Sequence, residues 1–122
     1  MMRKTLLAAV MLALPWLAAA TEDFKGAKIV ASDGQALGVV GDRFAEDSIT
    51  NPHGAYGNRF SSRSIWNSFG DYGGQFGEHS AFNPHASAPP KLILPRGGWR
   101  WLTVNPYLTP RVDPNSLARP LQ

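Results

Sequence analysis

The chain has 122 residues, no cysteine and a formal net charge of +3. The lack of cysteine excludes disulfide bonds, thiolate metal sites and a cysteine nucleophile. Twelve glycines and ten prolines argue against long helices. Two basic residues, Arg3 and Lys4, fall in a predicted leader, so the rest of the chain has ten basic and nine acidic side chains. That balance is unlike that of a nucleic-acid-binding protein.

The first twenty residues are typical of a secretory signal helix. Residues 1–4 carry positive charge, residues 6–17 are apolar, and three alanines precede Thr21. We expect cleavage between Ala20 and Thr21 and a mature protein that is periplasmic or secreted. The apolar run is shorter than the roughly 20 residues of a membrane-spanning helix, so we expect no stable membrane span after cleavage.

Two segments are predicted to form β-hairpins. Residues 28–40 and 91–104 each contain two apolar stretches separated by a glycine turn, at Gly34 and at Gly97. Short apolar runs that flank a glycine turn are typical of two antiparallel strands. We therefore predict a mainly β fold in which the two short hairpins pair into a small sheet.

The segment between the hairpins is repetitive. Residues 41–56, 57–72 and 73–88 align as three units of sixteen residues, and four residue types recur at the same positions in all three. These are Gly41, Gly57 and Gly73; Phe44, Phe60 and Phe76; Ser48, Ser64 and Ser80; and Asn51, Asn67 and Asn83. Because serine and asparagine bond to nearby backbone, we predict stacked, turn-rich loops in which these side chains satisfy backbone groups.

Three further expectations concern burial, backbone conformation and extent. The isoleucine, tyrosine and phenylalanine side chains of each unit are expected to be buried. Four turn glycines are expected to have positive φ: Gly54, Gly57, Gly70 and Gly73. The β-rich repeat domain is expected to span residues 21–107, followed by a proline-rich tail over residues 108–122.

These motifs resemble a group of short bacterial secreted or surface proteins of unknown function, which carry tandem Asn-Pro-Tyr-Gly-x-Tyr-Gly repeats of sixteen residues. The matching stretches are residues 33–38, 47–57, 64–73 and 83–91. This chain has another ring where the group has tyrosine, at His53, Phe69 and His85. The resemblance implies the architecture and the export of the protein, and it implies no activity.

Catalytic motifs are absent from the sequence. There is no Gly-x-Ser-x-Gly elbow, phosphate loop or dinucleotide fingerprint, and the serines follow the repeat. We predict a protein that is not an enzyme, has no cofactor and does not bind nucleic acid. We expect instead an exported structural or binding module of the bacterial envelope, whose partner is an envelope protein or a glycan.

One candidate site is a metal site built from histidines. His53 and His85 occupy the same position in two units, and His79 lies between them in the chain. With Asp71 or Glu78 they would supply the imidazole and carboxylate ligands of a periplasmic metal-binding protein. The alternative is that the histidines pack against neighbours or cap turns.

The second candidate site is a basic and aromatic patch, composed of Lys91, Arg96, Trp99, Arg100 and Trp101. If residues 98–104 form a strand, Trp99 and Trp101 share one face and Arg100 lies on the other. An exposed tryptophan pair would stack on sugar rings or on an apolar partner, as in a carbohydrate or cell-wall binder. The alternative is a core position packed against Phe44, Phe60 or Ile65.

Overall fold

A computed structural model describes residues 24–117. The predicted signal helix and the cleavage site between Ala20 and Thr21 lie outside these residues. The described part is mainly β, as predicted, and contains five strands and one short 3-10 helix. They are β1 (Lys28–Val30), β2 (Ala36–Val39), β3 (Lys91–Ile93), β4 (Trp99–Leu102), β5 (Arg111–Val112) and the 3-10 helix Pro114–Ser116. No helix within residues 24–117 is long and apolar enough to cross a membrane.

The five strands form one sheet in the order β2-β1-β3-β4-β5. Strands β1 and β2 pair antiparallel, as do β3 and β4, and an antiparallel pairing of β1 with β3 joins the two hairpins. The hairpin turns need the left-handed backbone that glycine adopts without strain, with φ of 93° at Gly34 and 99° at Gly97. The local glycine turns therefore define the hairpins, and β1 and β3 bring them together.

The sheet continues beyond residue 107, where the domain was expected to end. Strand β5 pairs parallel with β4, so that Leu102 lies opposite Val112. The backbone N–H of Thr103 donates to the carbonyl oxygen of Val112 at 3.1 Å, and Val112 and Leu117 are buried. Part of the predicted tail thus belongs to the fold, because its apolar side chains cover the end of the core.

The core lies between the inner face of the sheet and the repeat units. The sheet contributes fully buried aliphatic side chains from four strands, and each unit contributes one side chain from the same repeat position. These residues are Ile29, Leu37, Leu92 and Leu102 from the sheet, and Ile49, Ile65 and Ala81 from the units. One periodic apolar position per unit thus faces the sheet, and Trp66 of the second unit adds a further buried side chain to the core.

Side-chain hydrogen bonds recur along the units at intervals of sixteen residues. The amide of Asn51 donates to the carbonyl oxygen of Ala45 at 3.0 Å, and Asn67 and Asn83 repeat this bond six residues back along the chain. The amide oxygen of the same asparagines accepts the backbone N–H two residues ahead. Asparagine thus satisfies the turn backbone that no strand ladder reaches.

The units also connect to each other and to the sheet. The indole N–H of Trp66 donates to the carbonyl oxygen of Ile49 in the preceding unit at 2.7 Å, and the Trp66 ring lies 5.9 Å from that of Phe82 in the next. At one end, the N–H of Ile49 donates to the carbonyl of Val39, just where β2 ends. At the other, the N–H of Val104 donates to the carbonyl of Ala81. Sheet and units together therefore enclose the core.

Burial of the isoleucines is confirmed, but two other expectations for the units are wrong. The phenylalanines at the shared repeat position are exposed rather than buried: Phe44 at 84%, Phe60 at 72% and Phe76 at 89%. Asp42 and Asn58 accept the backbone N–H of Phe44 and Phe60, so these rings stand on turn tips that point outward. The four turn glycines do not have positive φ. Gly57 and Gly73 instead lie so close to neighbouring carbonyls that a Cβ would overlap them.

Candidate binding site on the outer sheet face

The tryptophan pair lies on the face of the sheet that points away from the core. Leu102 of β4 is fully buried, and the alternation of side chains along a strand turns Trp99 outward with 38% of its surface exposed. Trp101 shares this face and is half-buried. Neither tryptophan belongs to the core cluster that contains Ile65, and Phe44 and Phe60 are themselves exposed. The structure therefore does not place Trp99 and Trp101 in the core, which was the alternative prediction.

Lys91 joins the two tryptophans into one cluster. Its Cα lies opposite that of Trp101 across the β3–β4 pairing. Its Nζ lies 4.7 Å from the ring centre of Trp99 and 5.3 Å from that of Trp101. The two indoles meet edge to face, with centroids 5.2 Å apart and an interplanar angle of 88°. Lysine over two indole faces is a cation–π arrangement, which holds the ammonium at a fixed place on an exposed surface.

The five residues of the predicted patch do not all come together. Lys91, Trp99 and Trp101 share the outer face. Arg100 lies opposite Leu92 in the register, on the other face, and one of its guanidinium nitrogens donates to the backbone carbonyl of Trp99 at 3.0 Å. Arg96 is exposed beside the β3–β4 turn at Gly97. The alternation within β4 predicts this division.

A groove borders the cluster on the same face. It has a volume of about 360 Å³ and is lined in part by Val30, Ser32, Ser87, Lys91 and Trp101. The hydroxyl of Ser32 donates to the carbonyl oxygen of Pro89 at 2.9 Å, and that of Ser87 donates to a carboxylate oxygen of Glu78 at 3.2 Å. Both hydroxyl oxygens keep lone pairs that can accept from a ligand. The groove therefore combines an aromatic ring, a cation and hydroxyl acceptors.

The structure does not assemble the predicted histidine site. Within residues 24–117, no group of three or more histidine, aspartate or glutamate side chains could hold a metal ion. His53 and His85 are exposed, and their backbone N–H groups donate to Asn51 and Asn83 in the recurring turn. A ring nitrogen of His79, Nδ1, lies 3.2 Å from the carbonyl oxygen of Ala88. In this structure the three histidines occupy turn positions.

A carboxylate–phenol contact ties the units to the first hairpin. The hydroxyl of Tyr72 donates to Oδ2 of Asp33 at 2.7 Å. This hydrogen bond is the largest cause that lowers the pKa of Asp33. Burial, followed by the contact with Asp33, raises the pKa of Tyr72 to about 12. Both shifts favour the pair as tyrosine hydroxyl and aspartate anion, so its role is to hold the turn at Gly34 against the repeat.

One surface feature is missed by the sequence reasoning. A second groove of about 750 Å³ runs beside the units, with Trp66, Phe69, Phe76 and Phe82 in its lining and no charged side chain there. Phe69 is 95% exposed. Of the phenylalanines that recur in phase, only Phe76 lines this groove. The signal that could have found it is the aromatic pair Trp66 and Phe82, which share one repeat position sixteen residues apart.

Comparisons with known proteins identify no relative. No family model, curated protein or solved structure matches this chain.

Proposed function

We propose that the protein is an exported, non-enzymatic binding module of the bacterial envelope that holds a glycan on the outer face of its sheet. The observation that carries this proposal is the Trp99–Trp101 pair with Lys91 over both rings, held outside the core. A small domain gains stability by burying its aromatic side chains. Two tryptophans on a solvent-facing sheet therefore point to contact with another molecule.

The geometry suits a sugar more than a flat apolar partner. Aromatic faces stack on the apolar faces of sugar rings, while the ring hydroxyls need nearby polar groups. The groove at Trp101 supplies these, since Ser32 and Ser87 line it beside the ring. Sugar hydroxyls can donate to both serine oxygens while Ser32 continues to donate to the carbonyl oxygen of Pro89 and Ser87 to the carboxylate of Glu78.

Export is supported by the leader pattern of the first twenty residues. Expression of the full chain in a bacterial host, followed by fractionation and mass spectrometry, tests this part of the proposal. A periplasmic or secreted product whose first residue is Thr21 is the expected result. A product that keeps Met1 would contradict cleavage.

Binding is tested with the exported protein on immobilised envelope polysaccharides and on a glycan array. Trp101→Ala removes the ring that lines the groove and is expected to weaken binding about tenfold or more, as for a central aromatic contact. Phe60→Ala removes an exposed aromatic ring from a turn of the second repeat unit and serves as the control. Circular dichroism and thermal melting confirm that both variants fold. Retained glycan affinity in Trp101→Ala, or no glycan binding by the wild-type protein, would overturn the proposal.

A further inference from the structure

The strands of the sheet carry charge of one sign. Their sequences contain Lys28, Lys91, Arg100 and Arg111, and they contain no aspartate or glutamate. The repeat units differ, because residues 41–88 contain three basic and five acidic side chains. Arg100 lies on the inner face, and the other three cations share the face that carries the tryptophan pair, so this face favours an anion more than the repeat units do.

Two of the cations on this face, Lys91 and Arg111, lie in a line that crosses the strands. Lys91, Trp101 and Arg111 are register partners on β3, β4 and β5, so their side chains share the outer face. Two strand spacings separate the outer members, which places the Cα atoms of Lys91 and Arg111 about 10 Å apart. Val30 continues the row on β1, opposite Lys91. A cation, a ring and a second cation therefore follow one another along a straight path.

These cations are not neutralised within the described part of the chain. Lys91 contacts the two indoles, and no ion pair forms between Lys28, Lys91 or Arg111 and a carboxylate of residues 24–117. Glu78 accepts a hydrogen bond from Ser87, which lines the groove, and is not itself among the lining residues. An incoming anion can therefore pair with Lys91 and Arg111 without displacing a protein carboxylate.

From this arrangement we propose that the ligand of the outer sheet face is an acidic polysaccharide that runs across the strands. One anionic group pairs with Lys91, the sugar ring beside it stacks on Trp101, and a later anionic group along the polymer pairs with Arg111. The inference rests on the proposed glycan-binding function and adds the charge and the direction of the ligand. Repeated anionic groups on a stiff chain match the repeated cations of the row.

The test uses two pairs of polysaccharides, each an acidic and a neutral form, and one polyanion that contains no sugar. The exported protein is titrated with polygalacturonate and its carboxyl-reduced form, and with dextran sulfate and dextran; polyglutamate serves as a polyanion without sugar. We expect binding to an acidic polysaccharide at least tenfold tighter than to its neutral counterpart, and weaker binding as salt rises. We also expect the acidic polysaccharide to bind more tightly than polyglutamate, because only the sugar uses Trp101.

Variants separate charge from shape. Lys91→Met keeps most of the aliphatic stem on the indoles and removes the charge, and Arg111→Gln shortens and neutralises the other end of the row. Each is expected to weaken binding to the acidic polymer about tenfold, to weaken binding to the neutral polymer by clearly less than that, and to melt as the wild type does. Lys91→Arg is expected to restore affinity. Arg43→Gln removes a cation from the first repeat unit, as the matched control, and is expected to have no effect.

The outcomes distinguish this inference from the function on which it rests. Equal binding to acidic and neutral polymers, lost in Trp101→Ala and kept in Lys91→Met, would overturn the acidic ligand and leave the glycan module in place. Binding to polyglutamate as tight as to the polysaccharides would overturn both, because the sugar would then contribute nothing. If none of the five polymers binds, the acidic ligand is overturned, and the glycan array then decides the proposed function.

Discussion

The sheet and the repeat satisfy their backbone in different ways. In the sheet, neighbouring strands supply donors and acceptors to each other, so the side chains of the outer face are free to vary. In the repeat, asparagine and serine side chains make many of the bonds that hold the turns, and Asn67 alone makes two. Polar residues therefore hold the repeat together, whereas in the sheet they are available for contact with other molecules.

The largest loss of stability is expected when a glycine at the boundary between two units is replaced by alanine. Gly57→Ala places a Cβ on the carbonyl oxygen of Asn51, within a turn that cannot move without breaking its bonds. We expect a loss on the order of 3 kcal/mol or more in the free energy of unfolding, measured by urea denaturation. Gly41 has the same repeat position, and there a Cβ would meet Ser48 at an ordinary 3.5 Å. A comparable loss in Gly41→Ala would contradict this explanation.

A smaller loss is expected when one recurring asparagine is removed. Asn67→Ala removes a buried side chain and leaves the carbonyl of Ser61 and the N–H of Phe69 without the partner of two part-buried hydrogen bonds. The expected loss is about 2 to 3 kcal/mol in the same measurement. Asn58→Ala removes one exposed bond, to the N–H of Phe60, and is the control with a loss of about 1 kcal/mol or less. Equal losses in the two variants would show that the recurring amide bonds do not hold the repeat.

The contact between the repeat and the first hairpin predicts a pH dependence. The pKa of Asp33 is lowered from 3.8, so its contribution is present above that value and is lost as pH falls through the lower folded pKa. The pKa of Tyr72 is raised from 10.0 to about 12, so its contribution is present below 10.0 and is lost as pH rises towards about 12. Tyr72→Phe should lower the melting temperature between these limits and flatten both ends of the profile.

The matched control for this profile is Tyr56→Phe. Tyr56 has the same repeat position, and its ring lies 5.3 Å from the Arg63 guanidinium. Its hydroxyl is not the partner of Asp33. We expect Tyr56→Phe to keep the acid and alkaline limbs that Tyr72→Phe loses. Identical profiles for wild type and Tyr72→Phe would remove the assigned role of the contact.

The smallest effect is expected from the exposed phenylalanines. Phe60→Ser changes a ring on a turn tip, so the free energy of unfolding should change by no more than about 0.5 kcal/mol. Solubility should rise as exposed apolar surface is removed. Phe82→Ser is the control, because Phe82 packs on Trp66 and its loss should destabilise the fold clearly. A large loss in Phe60→Ser would mean that the ring has a structural role within its unit.

Much of the sheet is predictable because its signals are local. Glycine turns at Gly34 and Gly97 mark the hairpins within a few residues of the strands that they connect. Strand β5 has two residues, follows Pro110, and pairs parallel with a strand nine residues earlier in the chain, so no local pattern reveals it. The exposure of Phe44 is hidden for another reason. Aromatic residues in a small domain are normally buried, whereas Phe44 stands in a turn whose backbone N–H donates to Asp42.

Part of the candidate site is predictable because it depends on a local pattern within one strand. Alternation within one strand is enough to place Trp99 and Trp101 on a common face. The contribution of Lys91 depends on the register between β3 and β4, and that of Arg111 depends on a parallel pairing across the sheet edge. Neither pairing can be deduced from spacing along the chain. The line of cations is thus a property of the assembled sheet.

The closed arrangement of sheet and units has a consequence for how this protein can change during evolution. The first unit bonds to the end of β2 and the last bonds to the chain just after β4, so the stack bridges a fixed width. Duplication of one unit would keep every serine and asparagine in phase, yet the enlarged stack would no longer fit the span between those strands. The number of units and the breadth of the sheet must therefore evolve together. A natural variant with four units should have a wider sheet or an opened wall.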